Sequence, residues 1–247
     1  MAEASSGSGM DGQSTGKAWI DRSVLADQVY KEILARLMDG KLESGDPLSI
    51  DGTARELGVS PTPVREALAR LEATGMVVRA ALRGYRVAPM LSQAELMDLM
   101  EARLVIEPHN AEVACIRADA AFMAKLERSI DDLRLAPNGP QFSDYSSYWE
   151  ADERFHRLIA EQTRNRFLLG AYNSLGGHVH RFRLFGGTGV RDARVAIEEH
   201  STILAAMKEG DAAGARRAMV AHICGVRERA AREQAREAAK GSLGEPA

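Results

Sequence analysis

Four side chains in the second half of the chain have the types and spacing of a divalent-metal site. Asp152 and His156 stand four residues apart. On a helix that spacing puts a carboxylate and an imidazole on one face, one turn apart. His200 lies beside the apolar positions Ile197, Ile203 and Leu204, and His222 beside Met219, Ile223 and Val226. One carboxylate and three imidazoles from three helices suit Zn2+ or another borderline divalent ion, with Ni2+ and Mn2+ as alternatives, and leave coordination positions open. Spacing leaves other readings open. Each imidazole can serve as a hydrogen-bonded core residue, and the same four residues with Glu153 or Glu199 as base would make a hydrolytic centre.

Further polar residues fall in the helical patterns around these four. Arg103 offers a two-pronged donor to a carboxylate, or an ion pair to Glu107 one turn away. Asn173, His178, Arg181 and Arg183 belong to one helical pattern and can line a pocket from it. His178 and His180 are two apart, so at most one looks inward. His109 reads as a surface or interface residue. Cys115 and Cys224 sit in apolar helical patterns and read as buried core residues of a reducing compartment, since two cysteines make no disulfide framework.

A different chemistry is written in the first third. Ser60-Pro61-Thr62-Pro63 opens a helix that continues through Val64, Leu68 and Leu71 to Ala73, with Gly75 beyond it. Ser60 is suited to N-cap this helix, and prolines in the first turn cost no intrahelical hydrogen bond. A shorter helix over 51–57 ends at Gly58, and two short strands at 76–79 and 85–88 flank the Arg83-Gly84 turn. Helix, tight turn, capped second helix and β-wing are the parts of a winged helix-turn-helix. Short residues at the second helix's start (Ser60, Thr62, Pro63) allow close approach to DNA, and its N–H groups favour phosphate. Arg65 can fork onto guanine, Arg70 can reach the backbone, and Arg83 with Gly84 suits a minor-groove or phosphate contact.

The elements that must position these groups are mostly helical. The 247 residues are 45% hydrophobic and 27% charged with 5% aromatics, an ordinary globular composition biased toward helix formers. The net charge of −3 says little about nucleic acid, but Arg65–Arg86 holds five arginines against Glu66 and Glu72. No stretch approaches the ~18 continuous apolar residues of a membrane span, and Met1–Lys17 is Gly/Ser-rich without a signal's apolar core. A cytoplasmic protein is expected. Periodicity predicts a helix over 24–38, a boundary near 89–92, and helices near 92–117, 119–135, 143–162, 165–185, 190–209 and 211–238. The fold class expected is mainly α: a flexible tail at 1–17, a winged helix-turn-helix over 18–90, an antiparallel bundle of about six helices over 91–238 and a frayed end.

Gly58 to Leu68, then Leu71 to Gly75 and the Arg83-Gly84-Tyr85 wing, resemble the GntR family of bacterial repressors over about Asp21–Pro89. Two departures stand out: Pro61 replaces a frequent arginine, and Gly52-Thr53 replaces better helix formers, so a late start is expected for the shorter helix. Residues 92–230 are similar to the FCD-type ligand-binding domain of the FadR branch. The matching pieces are Glu101-Ala102-Arg103 with Glu107, Asp152 with Phe155-His156, His200 with Ile203, and Ala218-Met219 with His222. The resemblance implies a homodimer that binds a pseudo-palindromic operator in double-stranded DNA and acts as a repressor, not an enzyme. It also implies a divalent metal on Asp152, His156, His200 and His222 that anchors a small carboxylate effector. Arg103, Asn173, His178 and Arg181 are then candidate effector contacts, and an effector pocket without metal is the alternative.

Overall fold

The computed structural model describes residues 15–80, 84–137, 141–183 and 193–242, and side chains within them except at 15–23, 177, 179–183, 233, 234 and 236–242. α1 runs over Thr15–Met38. It begins well before Val24, because no glycine or proline interrupts residues 17–39. Its apolar positions Val29, Ile33, Leu34, Leu37 and Met38 are buried.

α2 spans Ile50–Leu57 and α3 Pro61–Ala73. The late start expected of α2 is not found. Ser49 caps it by accepting from the Gly52 N–H, and a Cβ at 52 would collide with the Ser49 hydroxyl. This cap, worth about 1 kcal/mol, offsets the poor helix propensity of Gly52. Ser60 is the N-cap residue of α3, but its side chain makes no capping hydrogen bond. Prolines in the first turn set that start instead.

Three strands form the wing: β1 (Pro47–Leu48), β2 (Val77–Ala80) and β3 (Gly84–Val87), in the order β1-β3-β2, all antiparallel. β1 adds a strand to the two that the sequence predicts. Two residues are too few for an alternation signal, and Pro47 is tolerated because β1 is an edge strand. The β2–β3 turn, with Arg83, lies outside the described residues.

A Ser92–Glu95 capping box starts α4 (Gln93–Ile116). It is followed by α5 (Ala120–Leu135), α6 (Phe142–Gln162), α7 (Arg166–Arg183), α8 (Ala193–Lys208) and α9 (Ala212–Ser242). α9 continues past the expected end at 238. Nine helices and one small sheet are thus present among the described residues. α4 packs on α6, α7 and α9, α5 on α6 and α8, and α8 on α9. Leu96, Met100, Leu126, Ile130, Phe155, Ile203, Met219 and Ile223 are among the buried centre of this bundle.

The two halves share a core. Phe142, Tyr145 and Trp149 of α6 belong to the hydrophobic cluster of the winged unit, with Leu34, Leu37, Leu68 and Leu71. Phe142 N–H donates to Asp39 Oδ1 at 2.8 Å, tying the start of α6 to the end of α1.

Candidate functional site

The start of α3 is presented to solvent. Ser60, Thr62, Arg65, Glu66 and Ala69 are exposed, while Val64, Ala67, Leu68 and Leu71 anchor the other face. Thr62, Arg65, Glu66 and Ala69 share one helix face by their spacing. Arg65 has no ion pair or hydrogen bond among the described residues, so its fork is available. Pro63 is buried. It faces the core and sets the helix start. Arg70 is engaged inside the protein: it pairs with Asp27 of α1, and its guanidinium lies 4.3 Å from the Tyr30 ring centroid. Arg86 donates to the Gly45 carbonyl, and Arg79 to the Tyr85 hydroxyl. Among the described arginines expected on this face, Arg70 is paired and Arg65 is not. Gly84 adopts φ +84°, and a Cβ there would lie 3.1 Å from the Leu48 carbonyl oxygen. The wing needs glycine where β3 passes β1.

The bundle brings His156 (α6), His200 (α8) and His222 (α9) together. All three are buried, and one ring nitrogen from each lies within 4.8 Å of the others. Asp152, one turn before His156, places Oδ1 3.7 Å from His200 Nε2. The His200 ring stacks on Phe155, centroids 4.1 Å apart. Helical phasing makes this convergence: Asp152 and His156 face inward on α6 together with Phe155 and Ile159.

Outer carboxylates orient two of the rings. His156 Nδ1 is 2.7 Å from Glu107 Oε2, and His222 Nδ1 is 2.8 Å from Glu199 Oε2. The Glu199 hydrogen bond fixes the His222 tautomer, and Glu107 closes on the Nδ1 side of His156, so in both rings Nε2 is left toward the cluster. Both Nε2 atoms are buried with no hydrogen-bond partner. A buried imidazole nitrogen left unpaired costs free energy unless a ligand takes it. The donor set of three imidazoles and one carboxylate is that of a borderline divalent ion, and on this test the residues fit such a metal.

The electrostatics favour a neutral imidazole at His222. Burial lowers the proton affinity of His222. Burial by itself would raise Glu107, but Arg103 and His156 outweigh it and hold the carboxyl well below its usual range. Glu199 follows the same balance, with His222 and Arg229 bringing it down to about 2. Arg229 grips Glu199 with two hydrogen bonds, of 2.8 and 2.9 Å.

Arg103 does form the ion pair with Glu107, at 2.5 and 3.3 Å, and both are buried. Its Nη1 nevertheless has no hydrogen-bond partner, so one prong remains for a ligand. The fourth bundle helix is phased differently from expectation. Tyr172 is its buried polar residue near the cluster. Burial pushes its hydroxyl well up, and the charges of Glu107, Glu153, Arg103 and Asp152 act on it. Asn173 is exposed rather than pocket-lining. His178 meets Gly75 of the winged unit, where a Cβ would lie 2.9 Å from its ring. The side chain of Arg181 lies outside the described residues. Cys115 is buried as expected, but Cys224 is only half-buried, and His109 is exposed. The sequence shows Glu107 only as a partner of Arg103 and Glu199 only as a candidate base; their contacts with His156 and His222 cross between helices and were not legible.

Comparison with known proteins gives this geometry a context. Residues 25–87 match the family model described as bacterial regulatory proteins, gntR family, and residues 98–224 match the FCD domain. The chain is 30% identical over 224 residues to the putative L-lactate dehydrogenase operon regulatory protein of Escherichia coli K12, covering 81% of this chain and 83% of that one. It is 27% identical to a probable D-xylose utilization operon transcriptional repressor of Paenarthrobacter nicotinovorans, covering 83% and 88%. Among solved structures, Escherichia coli McbR/YncC has the same fold, with a TM-score of 0.68 at 22% identity over 85% of this chain and 98% of that chain. The winged head and the helical bundle each match a model of this group, and the chain belongs to the GntR family of bacterial regulatory proteins, as a DNA-binding transcription regulator carrying an FCD domain and not an enzyme.

Proposed function

We propose that this regulator is a dimeric repressor whose DNA binding is modulated by a small carboxylate effector, held next to a divalent metal on Asp152, His156, His200 and His222. One observation carries the metal half of this reading: the Nε2 atoms of His156 and His222 are buried and unpartnered while Glu107 and Glu199 hold the opposite ring nitrogens. A bound cation would supply the dominant local charge for an effector carboxylate. Arg103, with Nη1 unpaired, supplies a second carboxylate contact. Arg65 and the wing meet base edges and phosphates.

A second copy of the chain is the proposed partner of the α4–α7 face. Val105, Ile116 and Phe167 are 70%, 72% and 73% exposed there. Arg117 donates to the Thr163 carbonyl, which brings Ile116 and Phe167 to the same end of that face. Large apolar side chains grouped in water mark interfaces.

Elemental analysis of protein prepared without a metal-affinity tag tests the metal. About one equivalent of a divalent ion is expected, and less than about a tenth of an equivalent leaves the effector to Arg103 alone. A gel-shift titration on the protein's own promoter region, with and without carboxylic acids, tests the regulation. The shift must be salt-sensitive and sequence-specific, and an effector must change it, because regulation requires different affinities for the DNA-bound and free arrangements.

A further inference from the structure

Asn110 stands on the same face of α4 as Arg103 and Glu107. Successive helical residues turn by about 100°, so positions 103, 107 and 110 fall within about 60° of one another. Glu107 on that face touches His156, so the face looks onto the histidine cluster, with Asn110 one turn beyond Glu107. Asn110 is 1% exposed, and both its amide atoms, Oδ1 and Nδ2, lack a hydrogen-bond partner. Arg103, 2% exposed, leaves Nη1 equally unpaired.

These orphans are costly as core packing. A leucine has the branched shape of an asparagine without burying an amide, and native interiors pair nearly all such groups. The two orphans differ in chemistry. Nη1 is a cationic donor and suits a carboxylate oxygen. The amide offers one acceptor and two donors, which suits a neutral group that both donates and accepts. A hydroxyl is the simplest such group.

We propose that Asn110 is a specificity-determining residue of the effector site: it binds a hydroxyl of the ligand whose carboxylate meets Arg103, so the effector is a hydroxy acid rather than a simple carboxylic acid. This rests on the effector reading given above. Arg103 bends toward Glu107, which puts its guanidinium about one helical turn from Asn110. The carboxylate and hydroxyl are therefore roughly 5–6 Å apart or closer, as in a short-chain acid.

The test uses the full-length protein, tag-free and zinc-loaded, with matched acids: lactate against propionate, and malate or tartrate against succinate. Calorimetry should show at least one hydroxy acid binding about tenfold tighter than its deoxy partner, the size of one buried hydrogen bond. In Asn110→Leu that ratio should fall to near one while the deoxy acid and the zinc content are retained. The ligand-free variant should melt about 2–4 °C higher, since an unpaired amide has been removed. Asn110→Ala gives the same ratio test if the leucine variant misfolds. A hydroxyl preference that survives both substitutions, or its absence from the parent protein, overturns the role of Asn110. If no acid binds the parent at all, the effector reading falls with it. If acids bind with the Asn110-dependent preference to zinc-free protein, only the metal part of that reading falls.

Discussion

Glu199 shows how a residue without a direct ligand contact can govern this site. It receives two hydrogen bonds from Arg229 and faces His222 Nδ1, so it fixes the ring whose Nε2 points into the cluster. Glu199→Gln should lower metal affinity by about 10- to 100-fold, the usual effect of losing such an orienting carboxylate. Competition with a chromogenic chelator measures this, and an unchanged affinity would remove Glu199 from the site. Two arginines of α3 offer a contrast. Arg65 is exposed and uncommitted, so Arg65→Ala should weaken specific operator binding by about 1–3 kcal/mol. Arg70 is tied to Asp27 and Tyr30. Arg70→Ala should lower stability by less than about 1 kcal/mol, as expected for an exposed pair, and leave sequence preference in place. Fluorescence anisotropy on operator and scrambled duplexes separates the two.

At the scale of elements, α6 is the connecting rod. Its first two turns carry Phe142, Tyr145 and Trp149 into the winged unit's core, and its next turns carry Asp152 and His156 into the cluster. A ligand that moves α6 therefore moves a wall of the DNA-binding half. Tyr145 gives a handle on this junction. Burial, with the Asp39 carboxylate adding to it, pushes its hydroxyl up to about 12 from an ordinary 10.0. The folded state thus prefers the neutral phenol. Its contribution is fully present below the unfolded pKa near 10 and is lost as pH rises through about 12. The loss amounts to about 2–3 kcal/mol for a shift of this size. Tyr145→Phe cannot ionise and should lose less stability than the parent between about pH 9 and pH 12. Equal alkaline losses in the two proteins would show that Tyr145 ionises without opposing the fold.

The whole molecule joins an exposed reading head to a buried polar cluster through a shared core. No described helix is long and apolar enough to cross a membrane. Assembly of two copies through α4 and α7 makes a measurable claim: Val105→Glu combined with Phe167→Glu should convert a dimer to monomer in sedimentation velocity without unfolding it, because both side chains are exposed in the single chain. A dimer that survives both charges uses another face.

Much of this was legible in the sequence, and for identifiable reasons. Apolar residues recurring at helical spacing gave the bundle helices to within a few residues at most boundaries, and the segment from Gly58 to Gly75 marked the reading helix with its prolines and glycines. Asp152 and His156 declare themselves as a pair because they are neighbours on one turn. What the tertiary structure decided were contacts between elements distant in the chain: Glu107 against His156, Tyr172 rather than Asn173 facing the cluster, Arg70 drawn to α1, Phe142 to Trp149 lodged in the other half's core, and β1 added to the wing. Helical period and local capping are properties of a few consecutive residues, so one chain segment determines them. Which face of one helix meets which face of another depends on packing the whole core at once, and no single segment carries that information.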